Sequence, residues 1–327
     1  MKGLVTVFGG SGFVGSQIVR ALAKHDRRVR VAVRRPGRGY RLPMLGDVGQ
    51  IEIVQANVRD AASVGRALDG AEACVNAVAV LYQSGRQTFE GLNVAGAREI
   101  AEAARARGIG RFVQISAIGA DAASGADYAR SKAAGEAAVR EAIPSATVVR
   151  PSVVFGPGDA FFNRFAAMAT VSPVLPLIGG GATRFQPVFV GDVAAAVAAA
   201  FSDGAASGGT YELGGPSIYS FKALMVLLLE QIGRPRLLAP IPFAVAKILG
   251  LAGDALAATG ILAPPITSDQ VEMLRTDNIV VPGALGLADL GVAASALEPI
   301  IPTYLYRYRK GGQYAEAAQA AAALPPR

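Results

Sequence analysis

The sequence predicts an α/β protein, a doubly wound parallel sheet with a smaller, mostly helical carboxyl-terminal lobe. Three observations carry this. Short apolar runs of strand length alternate with segments whose apolar residues recur at helical spacing through the amino-terminal half. The first of these strands turns into its helix through Gly9, Gly12 and Gly15. Beyond residue 160 the alternation gives way to longer apolar and alanine-rich helical runs. Residues 1–160 are therefore expected to form a nucleotide-binding domain and residues 161–327 a smaller lobe interleaved with it, parts of 184–214 returning to complete the sheet. A chain of 327 residues can bury roughly three quarters of its extended surface.

The stretch Leu4-Val-Thr-Val-Phe-Gly-Gly-Ser-Gly-Phe-Val-Gly-Ser16 reads strand, tight turn, helix, and the helix runs on from Gln17 to Lys24. Glycine at this Gly-x-x-Gly-x-x-Gly spacing lets backbone approach a pyrophosphate while the helix's free N–H groups face the anion. Gly9, Ser11, Gly12, Phe13, Val14 and Gly15 are the residues expected around it, on a Rossmann-type sheet. Arg28 to Val33 alternates as a second strand and ends in Arg34-Arg35-Pro36. An acidic residue there would bond the ribose hydroxyls of NAD, whereas arginine pairs with the 2′-phosphate of NADP, so Arg34 and Arg35 favour NADP(H) over NAD(H).

Ile51 to Gln55 is a third strand, and Asn57, Val58, Arg59 and Asp60 turn into a helix ending near Gly70. Asn57 and Val58 are candidates for the adenine end, while Asp60 serves equally as the cap of that helix. Ala73 to Val80 is the fourth strand, and Asn76, Ala77 and Val78 lie where the central riboses would pass. A helix from Thr88 to Arg107 contains Asn93, whose amide either sits beneath the site or fixes a helix contact. Arg111 to Ile115 is the fifth strand, with Ser116 at the carboxyl end that faces the ligand crevice in open α/β sheets. The helix from Asp127 to Ala142 puts Tyr128 and Lys132 on one face. An ammonium there would lower the phenol's pKa and make Tyr128 a proton donor or acceptor near neutrality, with Lys132 also in reach of the nicotinamide ribose. Ala146 to Val149 is a sixth strand, followed by Arg150-Pro-Ser-Val-Val-Phe-Gly-Pro-Gly-Asp159, in which Pro151 and Val153 are placed against the cofactor.

The order of glycine turn, arginine-ended strand, serine-ended strand, Tyr-x-x-x-Lys and Arg-Pro-x-x-x-Phe-Gly-Pro resembles the extended and atypical short-chain dehydrogenase/reductase superfamily. Within it the chain is similar to the respiratory complex I accessory subunits of the alpha-subcomplex subunit nine type and their bacterial relatives. That resemblance rests on Tyr128 to Glu136, Phe161 to Phe165, Arg184 to Val193, Tyr211 to Pro216 and, with Phe161 to Phe165 the most discriminating, Val271 to Asn278. It implies a tightly held NADPH with a mainly structural role and docking to peripheral-arm subunits of complex I or to quinone-pathway proteins. The alternatives are an active NADP-dependent oxidoreductase using Tyr128, Lys132 and Ser116, and a nucleotide-sugar epimerase or dehydratase. In related proteins the catalytic hydroxyl often falls one or two positions later, where this chain has Ala117 and Ile118; Ser152 or a backbone donor would then substitute.

In the smaller lobe, Gln186 to Val190 reads as extended, Asp192 as the cap of a helix to Phe201, Thr210 to Leu213 as a strand and Ser220 to Ile232 as a helix. Leu237 to Gly253 is apolar enough for a buried helix or a surface-docking one; burial is favoured, since only Lys247 interrupts it. Tyr304-Leu-Tyr-Arg-Tyr-Arg-Lys310 suits an interface or a headgroup boundary, with packing onto the lobe the plainer alternative. A loose helix is expected from Tyr314 to Ala323 and a frayed terminus after it.

Composition bounds the rest. The single cysteine, Cys74, lies in an apolar run, and the single histidine, His25, sits in a charged turn, so disulfide, zinc and histidine-centred serine chemistry are not expected and no metal is assigned. The formal charge of +7 suits anionic partners without choosing among them, and scattered arginines without a recognised motif disfavour nucleic acid. Mean hydropathy is +0.37, yet the longest charge-free stretch, Phe165 to Thr183, is broken by Pro173, Pro176 and three glycines, so no transmembrane span is expected. The amino terminus lacks a signal-peptide cleavage pattern. The expected place is the cytoplasm, with peripheral contact on the cytoplasmic face of the inner membrane as an extension.

Overall fold

A computed structural model describes residues 2–201, 208–260 and 264–314. The amino-terminal part runs β1 (Lys2–Phe8), α1 (Phe13–Lys24), β2 (Arg27–Val33), β3 (Ile51–Gln55), α2 (Ala61–Leu68), β4 (Ala73–Asn76), α3 (Ala95–Arg105), β5 (Arg111–Ile115), α4 (Asp127–Ala142) and β6 (Thr147–Pro151). Then come β7 (Val154–Phe155), α5 (Phe162–Val171), β8 (Val174–Ile178), β9 (Arg184–Phe185), β10 (Val188–Phe189), α6 (Val190–Ala199), β11 (Thr210–Leu213), β12 (Tyr219–Ser220), α7 (Phe221–Ile232), β13 (Leu237–Ile241), α8 (Phe243–Ala258) and α9 (Ser268–Met273).

Seven parallel strands form one sheet in the order β11-β6-β5-β4-β1-β2-β3. Val5, Val7, Val29 and Val31 are fully buried, as expected for strands covered on both faces. One apolar layer joins the sheet to α1 and α6 through Ile18, Val19, Leu22, Val193 and Val197. The other joins it to α2, α3 and α4 through Leu68, Ile100, Ala104 and Val139. The smaller lobe has a core of its own around Phe155, Phe162, Leu175, Leu224 and Leu228. Strand order reverses between β1 and β4, which opens the ligand crevice beyond their carboxyl ends.

Several elements depart from the sequence expectation. Strand β4 stops at Asn76 because the Asn76 side chain accepts from the Val78 N–H at 3.0 Å and donates to Gln114 at 2.9 Å, taking the backbone out of the ladder. The helix expected from Thr88 opens with a wide π turn over Glu90–Val94 before α3. Helix α6 starts at Val190 with Phe189 at its cap position, and the Asp192 carboxylate accepts from the backbone N–H and the hydroxyl of Ser295 at 2.7 and 2.9 Å.

The largest correction concerns α8, which lies on the surface. Its small residues Ala246, Gly250, Gly253 and Ala257 face the protein, while Val245, Ile248 and Leu251 stand outward, 48%, 68% and 56% exposed. A Cβ on Gly253 would lie 1.8 Å from the Ile266 carbonyl oxygen and one on Gly250 2.7 Å from Ser268 Cα. Backbone packed that closely on backbone leaves the branched side chains nowhere but solvent. The Tyr304 segment packs onto the lobe, its hydroxyl donating to Asp159 at 2.6 Å. The helix expected from Tyr314 to Ala323 and the terminus after it lie, beyond Tyr314 itself, outside the described residues. Among the described residues no helix is long and apolar enough to cross a membrane.

Candidate functional site

The turn between β1 and α1 is built from backbone alone. Gly9 adopts φ +79°, and a Cβ on it would lie 2.8 Å from the Ala77 carbonyl oxygen. The Gly12 N–H donates to the Gly9 carbonyl at 3.0 Å. A Cβ on Gly15 would lie 2.3 Å from that same carbonyl oxygen, so α1 sits directly on the turn. No side chain caps α1 and its first turn holds no acidic residue. Its free N–H groups and positive end are left for an anion, and the cradle fits a pyrophosphate. Ser11 is exposed and Phe13 and Val14 are partly buried around this end.

At the end of β2, Arg34 and Arg35 are exposed and make no hydrogen bond or ion pair with a described residue. The other adenosine-end candidates divide. Asn57 closes its own turn, accepting from the Arg59 N–H at 3.2 Å, and Asp60 caps α2 through the Ala62 N–H at 3.2 Å. Val58 turns its side chain into the core against Gly96, leaving only backbone. Asn76 spends its amide within the sheet, whereas Ala77 lies against Gly9 with its N–H bonded to the Phe8 carbonyl at 3.0 Å, and Val78 follows it on the rim. Of the two roles foreseen for Asn93, its hydrogen bonds show the helix contact. Its side chain accepts from the Val80 N–H at 3.1 Å and donates to Ser131 at 3.0 Å, tying the crevice wall to α4.

Tyr128 is buried with its ring edge-on to Phe89, centroids 5.9 Å apart. Among the described residues its hydroxyl has no hydrogen-bond partner, and since no fully buried polar side-chain atom is left unpaired, the hydroxyl keeps some contact with the surface. Lys132 Nζ donates to the Ile115 carbonyl at 2.8 Å, at the carboxyl end of β5. Burial, helped by the Asp269 carboxylate, pushes the Tyr128 phenol up to about 12. This corrects the expectation of a phenol lowered towards neutrality: the group is held protonated, as a donor. Burial pulls the Lys132 ammonium down to about 8, with Glu136 opposing.

Between about 8 and the ordinary 10.5 of lysine, the unfolded chain binds the Lys132 proton and the folded one does not, so stability rises with pH across that window. Tyr128 acts oppositely between 10 and about 12, where the folded state keeps a proton the unfolded state has lost. Lys132→Met is expected to remove a rise on the order of 1–3 kcal/mol, read as urea midpoints of wild type and variant from pH 7.5 to 10. Parallel midpoint curves for the two proteins would refute it.

Ser116 and Ser152 are both committed elsewhere. The Ser116 hydroxyl donates to Glu136, and the Glu136 carboxylate receives Arg150 Nε at 2.9 Å and Nη2 at 2.7 Å. Arg150 Nη1 stands 3.7 Å from Glu212, so one guanidinium serves two buried carboxylates. The Ser152 hydroxyl faces the Asn278 carbonyl and side-chain oxygen at 2.8 and 2.7 Å, and the same Asn278 oxygen accepts from the Val153 N–H at 3.1 Å. Pro151 closes β6, its carbonyl accepting from the Ile118 N–H at 3.0 Å. The crevice floor is thus pinned by residues the sequence did not single out: Glu136, Arg150, Asn278 and Asp269, whose carboxylate takes two N–H groups of α4. The resemblance drew attention to 271–278 as a segment, but nothing local in it tells that Asn278 reaches Ser152. Among the described residues no cluster of three metal-ligating side chains occurs, and Cys74 is buried in β4.

Comparison with known proteins agrees with this geometry. Residues 5–214 match the NAD dependent epimerase/dehydratase family. The chain is 36% identical over 320 residues to the mitochondrial NADH dehydrogenase [ubiquinone] 1 alpha subcomplex subunit 9 of Arabidopsis thaliana, covering 95% of this chain and 80% of the relative. It is 38% identical over 198 residues to a ceramide reductase of Caulobacter vibrioides, 61% of each. In fold it is similar to an NADPH-dependent quinone oxidoreductase of Escherichia coli solved with NADPH, with a TM-score of 0.71 at 20% identity over 91% of this chain and 99% of that one. The matching span, the glycine cradle and the parallel sheet together show that this chain belongs to the NAD dependent epimerase/dehydratase family of short-chain dehydrogenase/reductase proteins.

Proposed function

We propose that the chain binds a nicotinamide dinucleotide, in its NADP(H) form, and holds it as part of the folded structure of a larger assembly. The observation that carries the NADP(H) preference is the pair of guanidinium groups of Arg34 and Arg35 beyond β2, exposed and without a partner among the described residues. The backbone of Gly9 to Gly15 would hold the pyrophosphate, Arg34 and Arg35 the 2′-phosphate, and the Tyr128–Lys132 face the nicotinamide end. When bound, the nicotinamide supplies hydride chemistry. The holding role is supported by Ser116, whose hydroxyl is spent on Glu136, and by similarity to mitochondrial proteins named as subunits. A ligand taken up only by the native state stabilises it by mass action, about 2.7 kcal/mol at a hundredfold excess over Kd.

A second reading is favoured by the Tyr128 hydroxyl, which has no partner among the described residues: a reductase in which this phenol gives its proton to a substrate carbonyl oxygen. The Caulobacter relative is named as a reductase. Calorimetry tests the shared premise. NADPH is expected to bind more tightly than NADH, and the double variant Arg34→Ala, Arg35→Ala to lose NADPH affinity by roughly 10²–10³-fold through two charge-assisted bonds, leaving NADH unchanged. Equal loss for both nucleotides would overturn the NADP(H) assignment. Mass spectrometry of the purified protein then separates holding from turnover, since a held nucleotide co-purifies and is not displaced.

A further inference from the structure

Helix α4 carries Tyr128 and Lys132, yet the segment leading into it does not cap it. Its cap residue is Ala126, whose side chain cannot accept a hydrogen bond. The first-turn N–H groups of Asp127 and Tyr128 donate instead to the two carboxylate oxygens of Asp269, the second residue of α9; the bond from Tyr128 is 3.2 Å and spans 141 residues of sequence. A carboxylate at this position satisfies two orphan donors and meets the positive end of the helix.

Asp269 does not reach there by chance of a loose loop. The Thr267–Gln270 capping box shapes the start of α9, and Ser268 donates through its N–H and hydroxyl to Asp254 of α8. Gly250 and Gly253 bring the α8 backbone onto residues 266–268. Downstream, Val271 is buried, Arg184 pairs with Asp277 at 2.7 Å, and Asn278 is fixed on Ser152 and Val153. Helices α8 and α9 are therefore packed as one piece, and among the described residues the hydrogen bonds they make to α4 are these two.

We propose that Asp269 is a positioning residue for Tyr128, capping α4 from the smaller lobe so that the Tyr128–Lys132 face stands over the crevice only while helices α8 and α9 are docked. What that face would meet in the crevice rests on the dinucleotide reading; the coupling itself does not. The charged group that acts on the phenol is Asp269 of α9; Glu272 of α9 lies against Gly125, Asp127 and Arg130 pair with each other on α4, Lys132 follows one turn on, and Phe89 packs against the ring without charge. Arg130 is taken by Asp127, and Lys132 points to Ile115, so the Asp269 carboxylate adds to burial in keeping the phenol protonated.

The test uses the full chain without nucleotide. In Asp269→Ala, amide exchange at Asp127 and Tyr128 is expected to quicken on the order of tenfold, as for loss of a helix cap, with β1 and β5 unchanged. In Asp269→Asn, which keeps one acceptor oxygen and loses the charge, the Tyr128 component of the ultraviolet tyrosinate titration, isolated by subtracting the same variant carrying Tyr128→Phe, is expected at lower pH than in wild type. Unchanged exchange at the two amides, or a Tyr128 titration that coincides with wild type, would overturn the proposal. If the wild type takes up neither NADPH nor NADH, the dinucleotide reading falls while both measurements still decide the role of Asp269.

Discussion

Arg150→Met is expected to lower the unfolding free energy by about 3–5 kcal/mol, the cost of removing one partner from a buried ionic cluster. The Arg150 side chain is 24% exposed, but Glu136 and Glu212 are only 5% and 8% exposed, and both depend on its guanidinium. Methionine fills much of the volume, so the loss is electrostatic: two carboxylates in low dielectric lose the guanidinium they share, and the Ser116 hydroxyl and the neighbouring Lys132 ammonium, both on the Glu136 side, do not replace it. Urea denaturation at neutral pH measures it. The triple variant Glu136→Gln, Arg150→Met, Glu212→Gln is expected to recover a large part of the loss, because no unpaired charge remains. A cost below about 1 kcal/mol for Arg150→Met would mean the cluster is solvated enough to behave like a surface pair.

Gly15→Val is expected to abolish dinucleotide uptake and to cost about 1–3 kcal/mol of stability, as overpacking does. The added Cβ would meet the Gly9 carbonyl oxygen at 2.3 Å and Gly10 Cα at 2.8 Å, both backbone atoms of the turn that α1 rests on. Relief requires α1 to move away, and its free N–H groups move with it. Gly12→Ala is the informative contrast. Its Cβ would approach the Gly9 carbonyl only to 3.2 Å and otherwise stands in open space. Stability is expected to change by less than about 0.5 kcal/mol, while affinity falls because the methyl occupies the anion's approach. Calorimetric titration beside thermal denaturation of the two variants checks both, and a Gly12→Ala protein that binds like wild type would show that the anion lies elsewhere.

The strand-and-helix frame was legible because each element carries its own hydrophobic periodicity, and Ile51–Gln55, Arg111–Ile115 and Thr210–Leu213 fall where the sequence expects them. The glycine turn was legible for a related reason, since Gly12 and Gly15 answer to the Gly9 carbonyl a few residues before them. What escaped was long-range. That Asn76 ends its strand, that Ser116 bonds Glu136 and that Asn278 holds Ser152 depend on partners 38, 20 and 126 residues away. Helix α8 misled for a different reason. Its composition is that of a core helix, but its glycines and alanines take the inner face, and hydrophobicity alone does not say which face is inner.

The outermost strand on the β6 side has a bearing on how the molecule is made. Residues 210–213 pair with β6, and Glu212 brings Arg150 its second carboxylate. A nascent chain that has emerged only as far as β6 therefore carries an open hydrogen-bonding edge, with Arg150 still short of its second carboxylate. The amino-terminal layer is finished by a segment synthesised some sixty residues later, so maturation of this protein is a matter of holding that edge apart from other chains until its own strand arrives.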